Sequence, residues 1–132
     1  MKLLLDTNAY AALLRGHAGV VRQVRSAEQV LLSAVVAGEL LFGFRNGQRY
    51  ELNRRDLDEF LASPYVALLP VGLVTADRFG RIASALKRKG KPLPTNDIWI
   101  AAQAMESGAE LLTFDRHFGA VDGLAWIEPP ES

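Results

Sequence analysis

Four acidic residues stand in apolar surroundings where a lone charge is out of place. Asp6 follows Leu3-Leu4-Leu5, and Glu39 lies within Val35-Val36-Ala37-Gly38-Glu39-Leu40-Leu41-Phe42. Asp97 opens Asp97-Ile98-Trp99-Ile100-Ala101-Ala102, and Asp115 closes Leu111-Leu112-Thr113-Phe114-Asp115. Taking an unpaired carboxylate out of water is expensive. Each acid has an ordinary explanation when taken singly. Asp6 can form a turn after a strand. Asp97 can sit at the positive end of a helix dipole, a gain of roughly 0.3–1 kcal/mol. Asp115 can cap a helix over Arg116-His117-Phe118, and Glu39 can pair with Arg45 or Arg22. One shared cause is simpler than four separate ones, and a hard divalent cation would supply it. Magnesium prefers oxygen ligands and keeps several of its waters, so a few carboxylates hold it. Two like charges about 4 Å apart, at an effective dielectric of about 20, repel by about 4 kcal/mol, and a bound cation reverses that sign.

The elements that must position these acids read as strands alternating with helices. Lys2 to Leu5 is a short apolar run of the buried parallel type, leading into Asp6-Thr7-Asn8. A short helix over Tyr10 to Arg15 is expected to stop at Gly16, and Gly19 to Ser26 places Val20, Val21 and Val24 at helical spacing. Val30 to Leu32 is a second strand, with Ser33 capping a helix over Ala34 to Arg45. A helix over Asn53 to Ala62 and a strand over Tyr65 to Leu69 follow. Thr75 to Lys89 is a long amphipathic helix ended by Gly90, with Phe79, Ile82, Ala83 and Leu86 inward. After a proline-bearing loop, Thr95 or Asn96 caps a helix through Met105. Glu110 to Phe114 is a fourth strand and Ala125 to Glu128 a short fifth. This order predicts an α/β fold, a central parallel sheet of about four to five strands flanked by helices. Ligands of such sheets bind at the carboxyl ends of the strands, where Asp6 and Asp115 both fall.

The chain of 132 residues is one domain's worth, with 49% hydrophobic and 23% charged side chains, a balance that excludes a disordered polymer. It has no cysteine, so disulfides and thiolate metal sites are excluded. Neither an export signal nor a membrane span is expected, because every apolar run is short or interrupted by polar residues. A cytoplasmic location fits. Fifteen basic and fifteen acidic side chains cancel, so net charge gives no support for a nucleic-acid partner. Their distribution is uneven. No acid lies between Arg78 and Asn96, a stretch holding Arg81, Lys87, Arg88, Lys89 and Lys91, and Thr7 to Ala27 is also acid-free. Either stretch reads as a solvated helix face or as a grip on a polyanion.

Together the blocks resemble a known family. Asp6-Thr7-Asn8 after the first strand, Glu39 in Ser33-x-x-x-x-Gly38-Glu39-Leu40, Thr95-Asn96-Asp97-x-x-Ile100-Ala101-Ala102 and Leu112-Thr113-x-Asp115 look like the four motifs of PIN-domain nucleases. The length and the Arg116-His117-Phe118 tail resemble VapC-type toxins of bacterial toxin–antitoxin pairs. The resemblance covers nearly the whole chain and implies a single PIN-like domain over residues 1–132. It implies that Asp6, Glu39, Asp97 and Asp115 bind Mg2+, with Mn2+ as a possible substitute. Thr7, Asn8, Asn96 and Thr113 match positions that support the carboxylates or the attacking water. It further implies an endoribonuclease using metal-activated water, inhibited by a cognate VapB-like antitoxin, and a homodimer that forms a heterotetramer or larger assembly with that antitoxin. Arg81, Lys87, Arg88, Lys89, Lys91, Arg116 and His117 are the expected RNA contacts. Val35, Leu40, Leu41, Phe42 and Phe44, within Ala34 to Ala62, are a guess at the antitoxin surface, with core packing as the alternative.

Two other classes remain open at this point. A leading strand ending in Asp also occurs in phosphatases and phospho-accepting receiver domains, where that residue is a nucleophile. Against this, no lysine stands near Asp115 or Trp126, and Asn8 occupies the place of a second Asp. A binding module without catalysis would keep the fold and the basic stretches and need no metal. His117 reads as a surface or phosphate-contacting residue rather than a general base, and Trp99 as core rather than a base-stacking platform.

Overall fold

The computed structural model describes residues 1–131. Strands β1 (Lys2–Leu5), β2 (Gln29–Ser33), β3 (Val66–Leu69), β4 (Glu110–Leu112) and β5 (Trp126–Ile127) form one sheet, in the order β3-β2-β1-β4-β5. Every neighbouring pair is parallel. Helices α1 (Thr7–Leu14) and α2 (Ala18–Ser26) connect β1 to β2, and α3 (Ala34–Arg45) and α4 (Tyr50–Ala62) connect β2 to β3. The chain then crosses back through α5 (Leu73–Lys89) and α6 (Thr95–Ser107) to β4, and a short 3-10 helix (Arg116–Ala120) precedes β5. The chain thus leaves β1 toward one sheet edge and returns to β4 on its other side. That reversal of direction beside β1 marks the ends of β1 and β4 as the usual ligand position in such sheets.

The central strands are buried on both faces, which explains their unbroken apolar runs. Leu3, Leu4, Leu5, Leu32, Leu111 and Leu112 are fully enclosed. Ile100, Ala101, Ala102 and Ala104 of α6 add to this core, and Phe118 of the 3-10 helix closes it. Helix α5 lies along α6, with Ile82 and Leu86 buried and Phe79 stacked on Trp99 at 4.2 Å between ring centroids. Trp99 is half-buried and stacks on Phe79 at the α5–α6 seam, outside the buried core that the sequence suggested for it.

Several element boundaries differ from the sequence reading. Helix α1 begins at Thr7 rather than Tyr10, because the Asp6 side chain accepts the Ala9 N–H and caps it. Helix α4 begins at Tyr50 rather than Asn53, without a side-chain cap. Neither Thr95 nor Asn96 caps α6: Pro94 is the cap residue, and its carbonyl accepts the Asp97 and Ile98 N–H groups. Strand β4 ends at Leu112, two residues early, where the Thr113 side chain turns to Asp6. The apolar excess of α3 is mostly core. Leu40 is buried, while Val35, Leu41 and Phe44 pack against the core, so only Phe42 of the guessed antitoxin residues is substantially exposed, at 70%. No helix among the described residues is long and apolar enough to cross a membrane.

Candidate active site

Each of the four acids is delivered by a different piece of chain. Asp6 is the first residue beyond β1, Glu39 is mid-way along α3, Asp97 is in the first turn of α6, and Asp115 sits between β4 and the 3-10 helix. Asp6 is only 7% exposed. Its Oδ1 accepts the Ala9 N–H at 2.8 Å and its Oδ2 accepts the Thr113 hydroxyl at 2.5 Å. The same Thr113 oxygen accepts the Asp115 N–H at 3.0 Å, so one hydroxyl ties two of the acids together. Glu39 accepts the Thr7 hydroxyl at 2.8 Å on Oε1 and forms no ion pair with Arg22 or Arg45 among the described residues. Asp115 Oδ1 accepts the His117 N–H at 2.9 Å and lies 2.8 Å from His117 Nδ1. It therefore caps the 3-10 helix, and no donor among the described residues reaches its Oδ2. Asp97 is half-buried, and no hydrogen-bond donor among the described residues reaches its carboxyl.

The electrostatics show that these groups feel one another. Burial pushes the Asp97 carboxyl up to about 6, with Asp115, Glu39 and Asp6 adding to the rise in that order and His117 opposing it. Its place in the first turn of a helix would by itself favour the anion. Desolvation and three like charges outweigh that dipole. Asp6 is also raised, chiefly by burial, with Asp115 and Glu39 contributing, against the lowering effect of its bonds to Thr113 and Ala9. Among the described residues no three acids or histidines are drawn into a ready ligand cage. The four acids lie near enough to act on one another's charge without closing on a point.

A model described as "PIN domain" matches residues 3–124. The chain belongs to the PIN-domain family. Ribonuclease VapC1 of Rickettsia felis is 30% identical over 127 residues, covering 94% of this chain and 93% of that protein. Ribonuclease VapC1 of Haemophilus influenzae (strain R2866) is 29% identical over 131 residues, 96% of each. The solved structure of VapBC-1 from nontypeable Haemophilus influenzae superposes with a TM-score of 0.86 at 26% identity, over 97% of this chain and 98% of that one.

Around the four acids of this PIN domain the supporting residues divide. Thr7 and Thr113 touch carboxylates, whereas Asn8 and Asn96 are exposed and, among the described residues, bond to none of them. Most of the expected RNA contacts are engaged with neighbouring groups. Arg81 pairs with Asp77, Arg88 donates to Ser84, and Lys89 donates to the Ala120 carbonyl and to Asp122. Arg116 pairs with Glu128 and His117 with Asp115, while Lys87 and Lys91 have no ion pair among the described residues. The reading of the sequence missed the contact between His117 and Asp115, although the Asp-x-His spacing at a helix start was its visible signal.

Proposed function

We propose that this PIN domain is a metal-dependent endoribonuclease, the toxin half of a toxin–antitoxin pair, hydrolysing RNA phosphodiesters with water. The observation that carries the reading is Asp97: a half-buried carboxyl with no protein donor, pushed up to about 6 partly by three further carboxylates. Such a group is unfavourable at neutral pH unless a cation neutralises it. The all-oxygen donor set fits Mg2+, with Mn2+ as a substitute. Asp6, Asp97 and Asp115 would hold the ion, with Glu39 completing that site or contributing to a second. When bound, the cation supplies an acidified water and neutralises charge on the phosphate and the leaving oxygen.

The chain's own groups do the positioning. The Ala9 N–H and the Thr113 hydroxyl hold both oxygens of Asp6, the Thr7 hydroxyl orients Glu39, and the His117 N–H fixes Asp115. Contacts of this kind set the direction of carboxylate lone pairs before any ligand arrives. In the reaction the water oxygen bonds to phosphorus and the bond from phosphorus to the 3′ oxygen breaks. The departing 3′ oxygen takes a proton, leaving a 3′-hydroxyl and a 5′-phosphate.

RNA as substrate and an antitoxin as partner are supported by the relatives named ribonucleases and by the likeness to a VapBC structure. Protein partners, including a second copy of this chain, are further supported by exposed apolar side chains around edge strand β3 and the start of α5. There Tyr65, Leu68, Val71, Leu73 and Val74 meet solvent. The test is the chemistry of the cut ends. RNA fragments made by the purified chain with Mg2+ should carry 5′-monophosphates and free 3′-hydroxyls. A 2′,3′-cyclic phosphate would overturn the scheme, because it requires the 2′-hydroxyl rather than water as nucleophile.

A further inference from the structure

A cavity of about 470 Å³ opens between the loop before α6 and the 3-10 helix, lined by Lys91, Pro92, Leu93, Arg116, His117, Gly119 and Ala120. Three of its lining residues are basic and none is acidic. Its volume is that of a ligand site rather than of a trapped water. It shares a wall with the candidate active site, because His117 lines it and also holds Asp115 at 2.8 Å. Lys91 has no ion pair among the described residues, and Arg116 is tied only to an exposed carboxylate, Glu128, at 3.1 Å. A pair as open as that is worth little and exchanges readily for a stronger anion. Pro92 and Leu93 add an apolar floor, which suits a sugar or base beside a charged group.

We infer that this cavity is an anion subsite, seating the backbone phosphate next to the one cleaved, with Lys91 and Arg116 as its contacts. The inference rests on the nuclease reading above. It gives the basic run a narrower role than a general grip, since only Lys91 of that run lines this cavity. A phosphodiester chain fits better than an acidic protein segment, because its charges repeat at short intervals and enter both the carboxylate site and this one together. The binding is independent of sequence, as backbone contacts are.

The experiment uses the full chain carrying Asp97→Asn, a fluorescent mixed-sequence oligoribonucleotide, and a salt titration. Lys91→Ala and Arg116→Ala should each reduce the slope of log affinity against log salt by about 0.7, the increment for one phosphate contact on a single strand. The double variant should weaken binding on the order of tenfold. Arg55→Ala, an exposed arginine on α4, should leave the slope unchanged. Glu128→Gln separates charge from structure. It releases Arg116, so binding should hold or tighten if Arg116 meets phosphate, and weaken if the pair merely supports the fold. Unchanged slopes in both alanine variants, with RNA still bound, would overturn the subsite and leave the nuclease reading standing. Loss of antitoxin capture instead of RNA affinity would assign the cavity to a protein partner. No RNA binding by the Asp97→Asn chain at any salt would overturn both.

Discussion

At the residue scale the arrangement turns on like charges held together. The fate of Asp97 with pH follows from its raised value. A carboxyl that binds its proton more tightly folded than unfolded stabilises the fold fully below the unfolded value of about 3.9. That contribution is lost as pH rises through about 6, the folded value. In EDTA, the melting temperature of the wild-type chain should therefore carry a falling component from Asp97 between about pH 4 and 6. Asp97→Asn should remove that component and raise stability at pH 7 by about 1 kcal/mol, a few degrees in Tm. A variant less stable than wild type in EDTA at pH 7 would show that Asp97 is paired and not repelled. Thr113 offers the complementary case. Thr113→Val keeps the shape but removes the donor to Asp6 and the acceptor of the Asp115 N–H. It should cost about 1–3 kcal/mol in denaturant unfolding and weaken divalent-metal binding about 10–100-fold. Wild-type metal affinity in that variant would reduce Thr113 to a core residue.

At the element scale, β1 and β4 bring Asp6 and Asp115 to one end of the sheet, and α6 brings Asp97. Helix α6 is itself anchored. Gln103, 1% exposed, donates from Nε2 to the carbonyls of Leu69 at 3.2 Å and Pro70 at 3.0 Å, fixing the helix to the exit of β3. Thr75 of α5 is fully buried and donates to Glu106 of α6 at 2.5 Å. Gln103→Ala should destabilise the chain by about 2 kcal/mol, since two carbonyls lose their donor and a void opens. Urea unfolding with an unchanged midpoint would contradict that anchoring role.

Strand and helix identities were legible because apolar runs and helical spacing survive in a single sequence. The starts of α1 and α4 were not. At α1 the capping residue is a site acid, read as a loop former, and at α4 the cap is Arg49, which gives no capping signal. The four acids were legible because each interrupts an apolar run. The engagement of Lys89 and Arg116 was not, because their partners Asp122 and Glu128 lie more than ten residues away along the chain.

At the scale of the whole molecule, the neutral total charge hides a local separation: a cluster of four acids beside a basic cavity. A hard cation in that cluster should stabilise the entire fold, because it binds only the folded arrangement of acids. At a hundred times its dissociation constant the gain is about 2.7 kcal/mol. A binding module without catalysis would show no such gain, so a Mg2+ titration followed by thermal unfolding separates the two classes. The most direct test is cleavage of total cellular RNA by the purified chain, freed of any protein inhibitor, with Mg2+ and then with EDTA, beside the Asp97→Asn variant. Discrete fragments that require the metal and disappear in the variant are the predicted result. Intact RNA under every divalent metal, or fragments that persist in the variant, would contradict the assignment of this cluster as the catalytic centre.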